Sequence, residues 1–561
     1  LQIPEGPPVA SSTANSPRFS TLWTSRDQQE LEQKLGELTI SANLPLSWVD
    51  NPQFLSFMDR FIPQAKAVTR RVLAGRIIPN LAKKARESVY KSLNGSSVTL
   101  QADGWTGINH RHIIAFMVGI NGKVYTVDVI DVTNERKTAD HFLKQLQDAY
   151  EKAEKEMGVR IICITTDASG EAAKARRMFK NIYPHVIVLD CYAHQANLIV
   201  GDYFRASNDY LIQLTGQACE LITWLRSKTI LLGLIRTAYA DSHKGRTKSV
   251  LRAVLTQWTS HFLAFDRLLE LEGTLQLVIL KDSMEKPDDR KIVIGTTEAK
   301  EKATKMIQLV KNTSFWIGLS RVVRHLRPLA IATNTLQSTS CHLDTVLVTF
   351  GFLYMQFNVM KSEGDATQSD IDACDRVLNS LEKRWGKADQ AIFIAATILN
   401  PFYPYTIFNT HNSNAHFLSV AGAITLSKQL WKRFFRENAP QELSLEVMSF
   451  LKGQNMYERL EEMCELEAGV AYSEGRMPSP MKVYELLGRC AAPDTPLMRL
   501  ARHLYSVSTN SASCERLFSS FGNLLTKLRN RLMRSIAKLK MRINDKNRNN
   551  SESQERLKRH F

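Results

Sequence analysis

The chain has 561 residues with a hydrophobic share of 44% and a charged share of 23%, which is ordinary for a globular protein of about three or four domains. No apolar run approaches the roughly 20 residues that span a bilayer, so we expect no membrane partner. Its eight cysteines are scattered without a C-x-x-C pair, which argues against a disulfide framework or a structural zinc finger and indicates a reducing compartment.

The net charge of +17 is concentrated near the C-terminus. Residues 516–561 contain 13 lysines and arginines against three acidic residues. A basic surface attracts polyanions, and nucleic acid is the usual one. We therefore predict a nucleic-acid partner, and the alternative is a merely solvated tail.

The first 94 residues divide into two segments. Residues 1–26 are rich in Ser, Pro and Thr and predict a disordered lead-in. Residues 27–94 show helical apolar spacing interrupted by prolines, which predicts a helical DNA-binding or dimerisation region. Its basic residues, which suit DNA contact or simple solvation, are Arg70, Arg71, Arg76, Lys83, Lys84 and Arg86.

Residues 95–204 change to β-rich patterning. Three short runs with tight turns predict an antiparallel meander, and a helix, a buried strand, a second helix and a fifth strand follow. The order β-β-β-α-β-α-β resembles that of an RNase H-like fold, in which the first and fourth strands are neighbours at the sheet centre. The predicted strands are residues 97–103, 112–119, 124–131, 159–166 and 185–191.

Two aspartates follow the strands that would be neighbours. Asp103 ends the first strand, and Asp167 follows the fourth. Two convergent carboxylates repel each other unless a cation lies between them, so the pattern predicts a divalent metal site. Mg²⁺ with substrate phosphates implies phosphoryl transfer and a third carboxylate from a later helix. Taken alone, Asp103 and Gly104 also fit an ordinary turn after a strand.

The rest of the chain is predicted to be helical. Residues 205–495 form an all-α block with a charged linker near residues 281–297. Residues 496–545 supply the last helix of the sheet domain and a dimerisation region, and residues 546–561 form a basic tail. The predicted fold class is α/β plus all-α: an RNase H-like core of the retroviral-integrase type, interrupted by a large all-α insertion domain.

Four ordered blocks carry a family resemblance. They are D-G-W-T at residues 103–106, T-T-D-A-S-G at 165–170, D-C-Y-A-H-Q-A-N-L at 190–198 and S-A-S-C-E-R-L-F-S at 511–519. Together they resemble the hAT superfamily of cut-and-paste DNA transposases. The family's usual N-terminal BED zinc finger has no matching Cys/His set here, so we expect that it was lost or lies upstream.

The resemblance implies that Asp103, Asp167 and Glu515 form a DDE triad that binds two Mg²⁺ or Mn²⁺ ions. One ion would activate the attacking water or 3′-hydroxyl, and the other would stabilise the leaving oxygen. The simpler interpretation of Glu515 is an exposed helix carboxylate. Glu171 and Glu220 compete for the third role, although neither lies in a matching block.

The resemblance also implies contacts with DNA. Trp258, in a weaker match to the family's T-R-W-N-S block, would stack on an extruded base or else belong to a helical core. His194 would bond a scissile phosphate, and Arg516 would contact a phosphate or brace its helix. Cys191 and Trp105 are expected to be structural residues beside the site. The tail residues predicted to meet DNA are Lys527, Arg529 and Arg531.

The implied function is a Mg²⁺-dependent DNA transposase that cuts transposon ends, forms flanking hairpins and joins 3′-ends to target DNA. Its partners would be double-stranded DNA, as terminal inverted repeats and target, and further copies in a homo-dimer or higher homo-oligomer. Its compartment would be the nucleus. The alternative is a domesticated descendant that binds DNA and partners without catalysis. A different RNase H-like nuclease is disfavoured by the block around Glu515.

Overall fold

The computed structural model describes residues 23–107, 110–120, 122–205, 209–252, 258–405, 418–490 and 494–524. Within these ranges, the side chains of residues 209, 258, 490 and 520–524 are not described. The chain divides into two compact units, one containing residues 23–89 and the other Tyr90–Asn523. The architecture is mixed α/β, with one five-stranded sheet and many helices among the described residues.

The first unit is helical, as its apolar spacing predicts. Thr24 caps the first helix by accepting a hydrogen bond from the Asp27 N–H, while the Asp27 carboxylate accepts one from the Thr24 N–H. Arg76, one of the predicted basic-face residues, forms an ion pair with Glu32 at 2.8 Å. The helices are α1 (Ser25–Ser41), α2 (Pro52–Phe61), α3 (Arg70–Val72) and α4 (Ile78–Leu93).

The second unit contains the sheet, whose strand order is β3-β2-β1-β4-β5. Strand β1 pairs antiparallel with β2 and parallel with β4, so the predicted adjacency of the first and fourth strands is confirmed. The strands are β1 (Ser97–Thr106), β2 (His112–Ile120), β3 (Lys123–Asp131), β4 (Arg160–Thr166) and β5 (Ile187–Asp190). Two helices lie between them in the chain, α5 (Ala139–Met157) and α6 (Gly170–Ile182).

The first strand does not end at Asp103, and that prediction is wrong. Pairing with β4 stops at Ala102, but pairing with β2 continues as far as Thr106. Gly104 stays within the strand because it pairs with Ile114 of β2, and the His112 ring packs against it, so that a Cβ atom there would lie 3.3 Å from the ring carbon Cε1. Asp103 therefore lies at the point where β1 and β4 separate, not at a turn.

Helices make up the remainder of the second unit, and their buried side chains form one hydrophobic core with residues of β4 and β5. The predicted linker near residues 281–297 begins later than expected, because its first residues belong to α11. The helices are α7 (Tyr192–Phe204), α8 (Asp209–Arg226), α9 (Thr229–Ser242), α10 (Trp258–Glu270), α11 (Glu272–Met284), α12 (Thr297–Lys311), α13 (Thr313–Leu336), α14 (Leu343–Lys361), α15 (Gln368–Trp385), α16 (Gln390–Ile398), α17 (Val420–Phe435), α18 (Gln441–Lys452), α19 (Leu460–Ser473), α20 (Pro480–Cys490), α21 (Pro496–Tyr505) and α22 (Ala512–Leu524).

Helix α14 is the one described helix with the length and hydropathy to cross a membrane. It contacts α13, α15 and α16, and its side chains Leu353 and Phe357 are buried in the common core. These contacts are typical of a helix in a protein core, so α14 is only weak evidence for a membrane-spanning segment.

Candidate active site

The sheet brings Asp103 and Asp167 to the same edge. Ala102 of β1 lies opposite Thr166 of β4, and each aspartate is the next residue along its chain. Neighbouring strands are about 5 Å apart, so the two carboxylates start from adjacent positions. The Ser169 hydroxyl donates to Asp167 Oδ1 at 3.1 Å and also caps α6, which fixes the aspartate to the start of that helix.

The Asp103 carboxyl is influenced electrostatically by two other acidic residues, Asp167 and Glu515. Burial, the charge of Asp167 and, to a smaller extent, that of Glu515 together raise the pKa of Asp103 to about 7, although the Gly104 N–H opposes the shift by donating to Oδ1 at 2.8 Å. Clustered carboxylates favour either a proton or a cation among them. A bound proton or cation would therefore stabilise the carboxylates at this site.

Helix α22 brings Glu515 to this edge by packing on β1 and β2. The Trp105 and Phe518 rings are stacked, with centroids 5.9 Å apart and planes 10° from parallel. Trp105 lies two residues after Asp103, on the same face of β1, and Phe518 lies three residues after Glu515, on the same face of α22. The ring pair therefore aligns the two acids.

Two of the predicted DNA-binding residues flank Glu515. Burial raises the pKa of Glu515, and the charges of His194 and Arg516 lower it in part. His194 is half-buried on the first turn of α7. The Arg516 guanidinium donates to the Ser513 hydroxyl at 2.9 Å, so this side chain braces the first turn of α22. Both side chains therefore act electrostatically on Glu515.

Residues 506–511, which we call the linking segment, fix the start of α22 to the sheet. The Thr99 hydroxyl accepts a hydrogen bond from the Ser508 N–H at 2.8 Å. The Gln101 amide donates to the Ser508 hydroxyl at 2.9 Å, and the Thr165 hydroxyl donates to the Ser508 carbonyl at 2.9 Å. Strands β1 and β4 thus hold the same residue from two sides.

The linking segment also binds the helical block through Asn510, which is 1% exposed. Its side-chain amide donates to the Leu336 carbonyl at 2.9 Å and to the Ser338 carbonyl at 2.8 Å. Its side-chain carbonyl accepts from the N–H of Ala512, the first residue of α22, at 3.2 Å. Asn510 therefore joins the end of α13 to the helix that carries Glu515.

Cys191 has a structural contact beside the site. Its backbone N–H donates to the Thr166 carbonyl at 2.8 Å, and its thiol accepts from the Ser511 N–H at 3.3 Å. Burial raises the pKa of this thiol, so it stays protonated at neutral pH. Cys191 connects the end of β4 to the linking segment.

A buried guanidinium below the site was missed from the sequence. Arg176 of α6 donates to the Thr166 carbonyl at 3.3 Å, to the Asp167 carbonyl and to the Asp190 carboxylate. It holds the backbone that presents Asp167. Its sequence signal is a charge within the buried stripe of α6 formed by Ala172, Ala175 and Phe179, because such a charge needs an internal partner.

A cavity of about 220 Å³ opens beside the aspartates. Its wall includes Asp103, Asp167, Glu171 and His112. The His112 ring accepts or donates a hydrogen bond with the Thr106 hydroxyl at 3.0 Å, and burial and the charge of Lys137 lower its pKa. The cavity therefore has room for a ligand next to the carboxylates.

The structure separates the competitors for the third acidic role. Glu220 forms an ion pair with Lys305 at 3.2 Å within the helical block, whereas Glu171 lines the cavity with both aspartates. Glu515 acts electrostatically on Asp103 from the opposite element, α22. Among the described residues, no three or more His, Cys, Asp and Glu side chains converge into a ready-made metal-ligand group.

Several predicted DNA-binding residues lie outside the description. Lys527, Arg529 and Arg531 fall beyond residue 524. Trp258 begins α10, but its side chain is not described, so stacking and core packing both stay open.

A family model described as "Domain of unknown function (DUF659)" matches residues 73–215. This range includes strands β1 to β5 with Asp103 and Asp167 but not Glu515. A comparison with curated proteins gave no match.

Proposed function

We propose that this chain is a DDE transposase that performs metal-dependent cleavage and strand transfer on DNA, built on an RNase H-like sheet. The strand order 3-2-1-4-5, with three antiparallel strands followed by two parallel ones, supports the RNase H-like assignment. The DUF659 match supports it further, since that domain occurs in hAT-family and transposase-like proteins.

The observation that carries the proposal is the joint effect of Asp167 and Glu515 on the Asp103 carboxyl. The three acids come from β1, from the residue after β4 and from a helix about 350 residues later, and the charges of the last two act on the first. Such carboxylates suit Mg²⁺ or Mn²⁺, whose preferred ligands are oxygens, and would hold two ions. The bound ions would supply nucleophile activation and leaving-group stabilisation in phosphoryl transfer.

The chain's own groups have complementary tasks around that centre. His194 and Arg516 flank Glu515 and would bind the scissile phosphate through charge-assisted hydrogen bonds. Trp105 and Phe518 keep α22 in place, and Arg176 fixes the backbone beneath Asp167. The basic residues after position 516 would hold the DNA backbone. Action on chromosomal DNA would place the protein in the nucleus. We further propose that it acts there as a homo-oligomer.

The test is cleavage of DNA carrying the element's terminal inverted repeats by the full chain with Mg²⁺ or Mn²⁺. We expect nicks and hairpins from the wild type and a loss of more than about 100-fold for Asp103→Asn, Asp167→Asn and Glu515→Gln, because residues that merely support a metal ligand already cost 10–100-fold. Glu220→Gln is the matched control and should cut normally.

Glu171→Gln decides which glutamate completes the triad. Retained cutting in this variant assigns the role to Glu515, whereas loss in Glu171→Gln with retained cutting in Glu515→Gln would reassign it. Wild-type binding of the DNA without cutting, unchanged in Asp103→Asn, would refute the enzyme and favour the domesticated alternative.

A further inference from the structure

Three exposed arginines cluster at the sheet edge opposite the aspartates. Arg160 is the first residue of β4, Arg436 follows the end of α17, and Arg499 lies on α21. Arg160 begins the seven-residue strand β4 and Asp167 follows its last residue, and a strand of this length spans roughly 20 Å. We call these three residues the arginine cluster.

Aromatic rings hold two members of the arginine cluster in place. The guanidinium carbons of Arg160 and Arg499 lie 5.8 Å and 4.1 Å from the centroid of the same Phe435 ring, and Arg499 also lies 5.0 Å from the Trp431 ring. Stacking orients a planar guanidinium and leaves its in-plane N–H groups able to bind an oxyanion. The cluster is thus partly pre-organised.

The charges of the arginine cluster are incompletely compensated by carboxylates. Arg499 pairs with Glu437 at 3.2 Å, an exposed ion pair of the kind that contributes little. Within the described part of the chain, neither Arg160 nor Arg436 has a carboxylate in ion-pair contact. Arg160 donates to the Phe434 carbonyl at 3.3 Å, and Arg436 contacts the His185 ring.

A buried histidine near the arginine cluster is affected by the same positive charge. His503 is 6% exposed, its ring centroid lies 4.4 Å from that of Phe434, and its Nε2 has no hydrogen-bond partner among the residues that the structure describes. Burial and, to a smaller extent, the charges of Arg160 and Arg499 together lower the pKa of His503 to about 3. Exposed guanidiniums that carboxylates compensate only in part attract polyanions, so this surface suits a polyanionic ligand.

We propose that Arg160, Arg436 and Arg499 bind the backbone phosphates of duplex DNA at a second contact, distinct from the carboxylate edge. The distance between Arg160 and Asp167 sets where this contact falls on the DNA, because roughly 20 Å corresponds to about six base pairs at 3.4 Å per step. This inference rests on the proposed function for the identity of the polyanion. It adds a contact that orients the DNA across the sheet.

The experiment measures binding of a fluorescent duplex by the full chain in EDTA, with the Asp103→Asn background to prevent cutting. The test variant carries Arg160→Gln, Arg436→Gln and Arg499→Gln. A control variant removes three exposed charges elsewhere in the second unit, through Arg236→Gln, Lys300→Gln and Lys302→Gln. A third variant changes the cluster to lysines, which keeps the charge.

We expect the glutamine cluster variant to bind at least about tenfold more weakly at 0.15 M salt. Its slope of log affinity against log salt should fall by about 2 to 3, because each lost phosphate contact contributes about 0.9. The control and lysine variants should keep the wild-type slope to within about 1. Hydroxyl-radical footprints should lose protection about six or more base pairs from the cleavage point.

Equal affinity and slope in the glutamine and control variants would overturn this inference. Its failure is distinguishable from that of the proposed function, since metal-dependent cutting by the wild type is measured separately. A wild type that cuts DNA while the glutamine variant binds normally removes only the second contact. A salt slope that falls as much in the lysine variant, which keeps the three charges, as in the glutamine variant would assign the cluster to packing and refute the phosphate contact.

Discussion

Asp103→Asn should stabilise the metal-free protein, and the gain should grow with pH. In the folded chain, burial and then the neighbouring acids raise the pKa of Asp103 from 3.8 to about 7. The folded state therefore holds this proton more tightly than the unfolded state does. Stability falls as pH rises from about 4 to about 7, and the full cost persists above that window. Asparagine keeps the shape and removes the charge.

The magnitude follows from the size of the shift. Each pKa unit is worth 1.36 kcal/mol, so a shift of about three units costs the wild type roughly 4 kcal/mol at pH 8, as an upper value. At pH 5 only about 1.5 kcal/mol of that cost has developed. The advantage of Asp103→Asn in the free energy of unfolding should therefore increase by about 2.5 kcal/mol between pH 5 and pH 8.

The assay is urea denaturation in EDTA at pH 5, 6, 7 and 8, followed by tryptophan fluorescence and circular dichroism. Asp148→Asn, an exposed position on α5, is the matched control and should differ from the wild type by a small, constant amount. Added Mg²⁺ or Mn²⁺ should stabilise the wild type at pH 8 and leave Asp103→Asn unaffected. A variant advantage that is the same at all four pH values would refute the clustered-carboxylate reasoning.

Three further predictions concern the support of the site. Arg176→Met should destabilise the second unit by about 3–5 kcal/mol in urea titrations, because it removes the partner of Asp190 and the bonds beneath Asp167; a change below about 1 kcal/mol would contradict this. Phe518→Ala should lower the cutting rate while Phe518→Leu retains most of it, with DNA affinity equal in both. Asn510→Ala should lower the cutting rate without changing DNA affinity, and equal loss of affinity would indicate general unfolding instead.

Much of the sheet was predictable because its signals are local. Alternating apolar residues and short turns indicate strands over a few positions, and the order of strands and helices then restricts which strands are neighbours. The same reasoning failed at Gly104, which it treated as a strand end. The sequence shows a glycine but not the His112 ring that packs on it, and that contact depends on the β1–β2 pairing.

The supports of the site were not predictable in this way because their partners are distant in the chain. The linking segment reads S-V-S-T-N-S, which has no helical or strand period. Its conformation is fixed by hydrogen bonds to Thr99 and Thr165 on one side and to the Leu336 carbonyl at the end of α13 on the other. These partners lie between about 170 and 410 residues away in sequence. Only the motif around Glu515 indicated that this end of the chain returns to the sheet.

The linking segment makes the active centre depend on both halves of the second unit. The sheet alone supplies Asp103 and Asp167, since β1 and β4 pair directly. Ser508 is bonded to the sheet, and Asn510 is bonded both to the end of α13 and to the first residue of α22, the helix that carries Glu515. The long helical block is therefore a structural part of the site, because it provides one of the two surfaces between which the start of α22 is fixed.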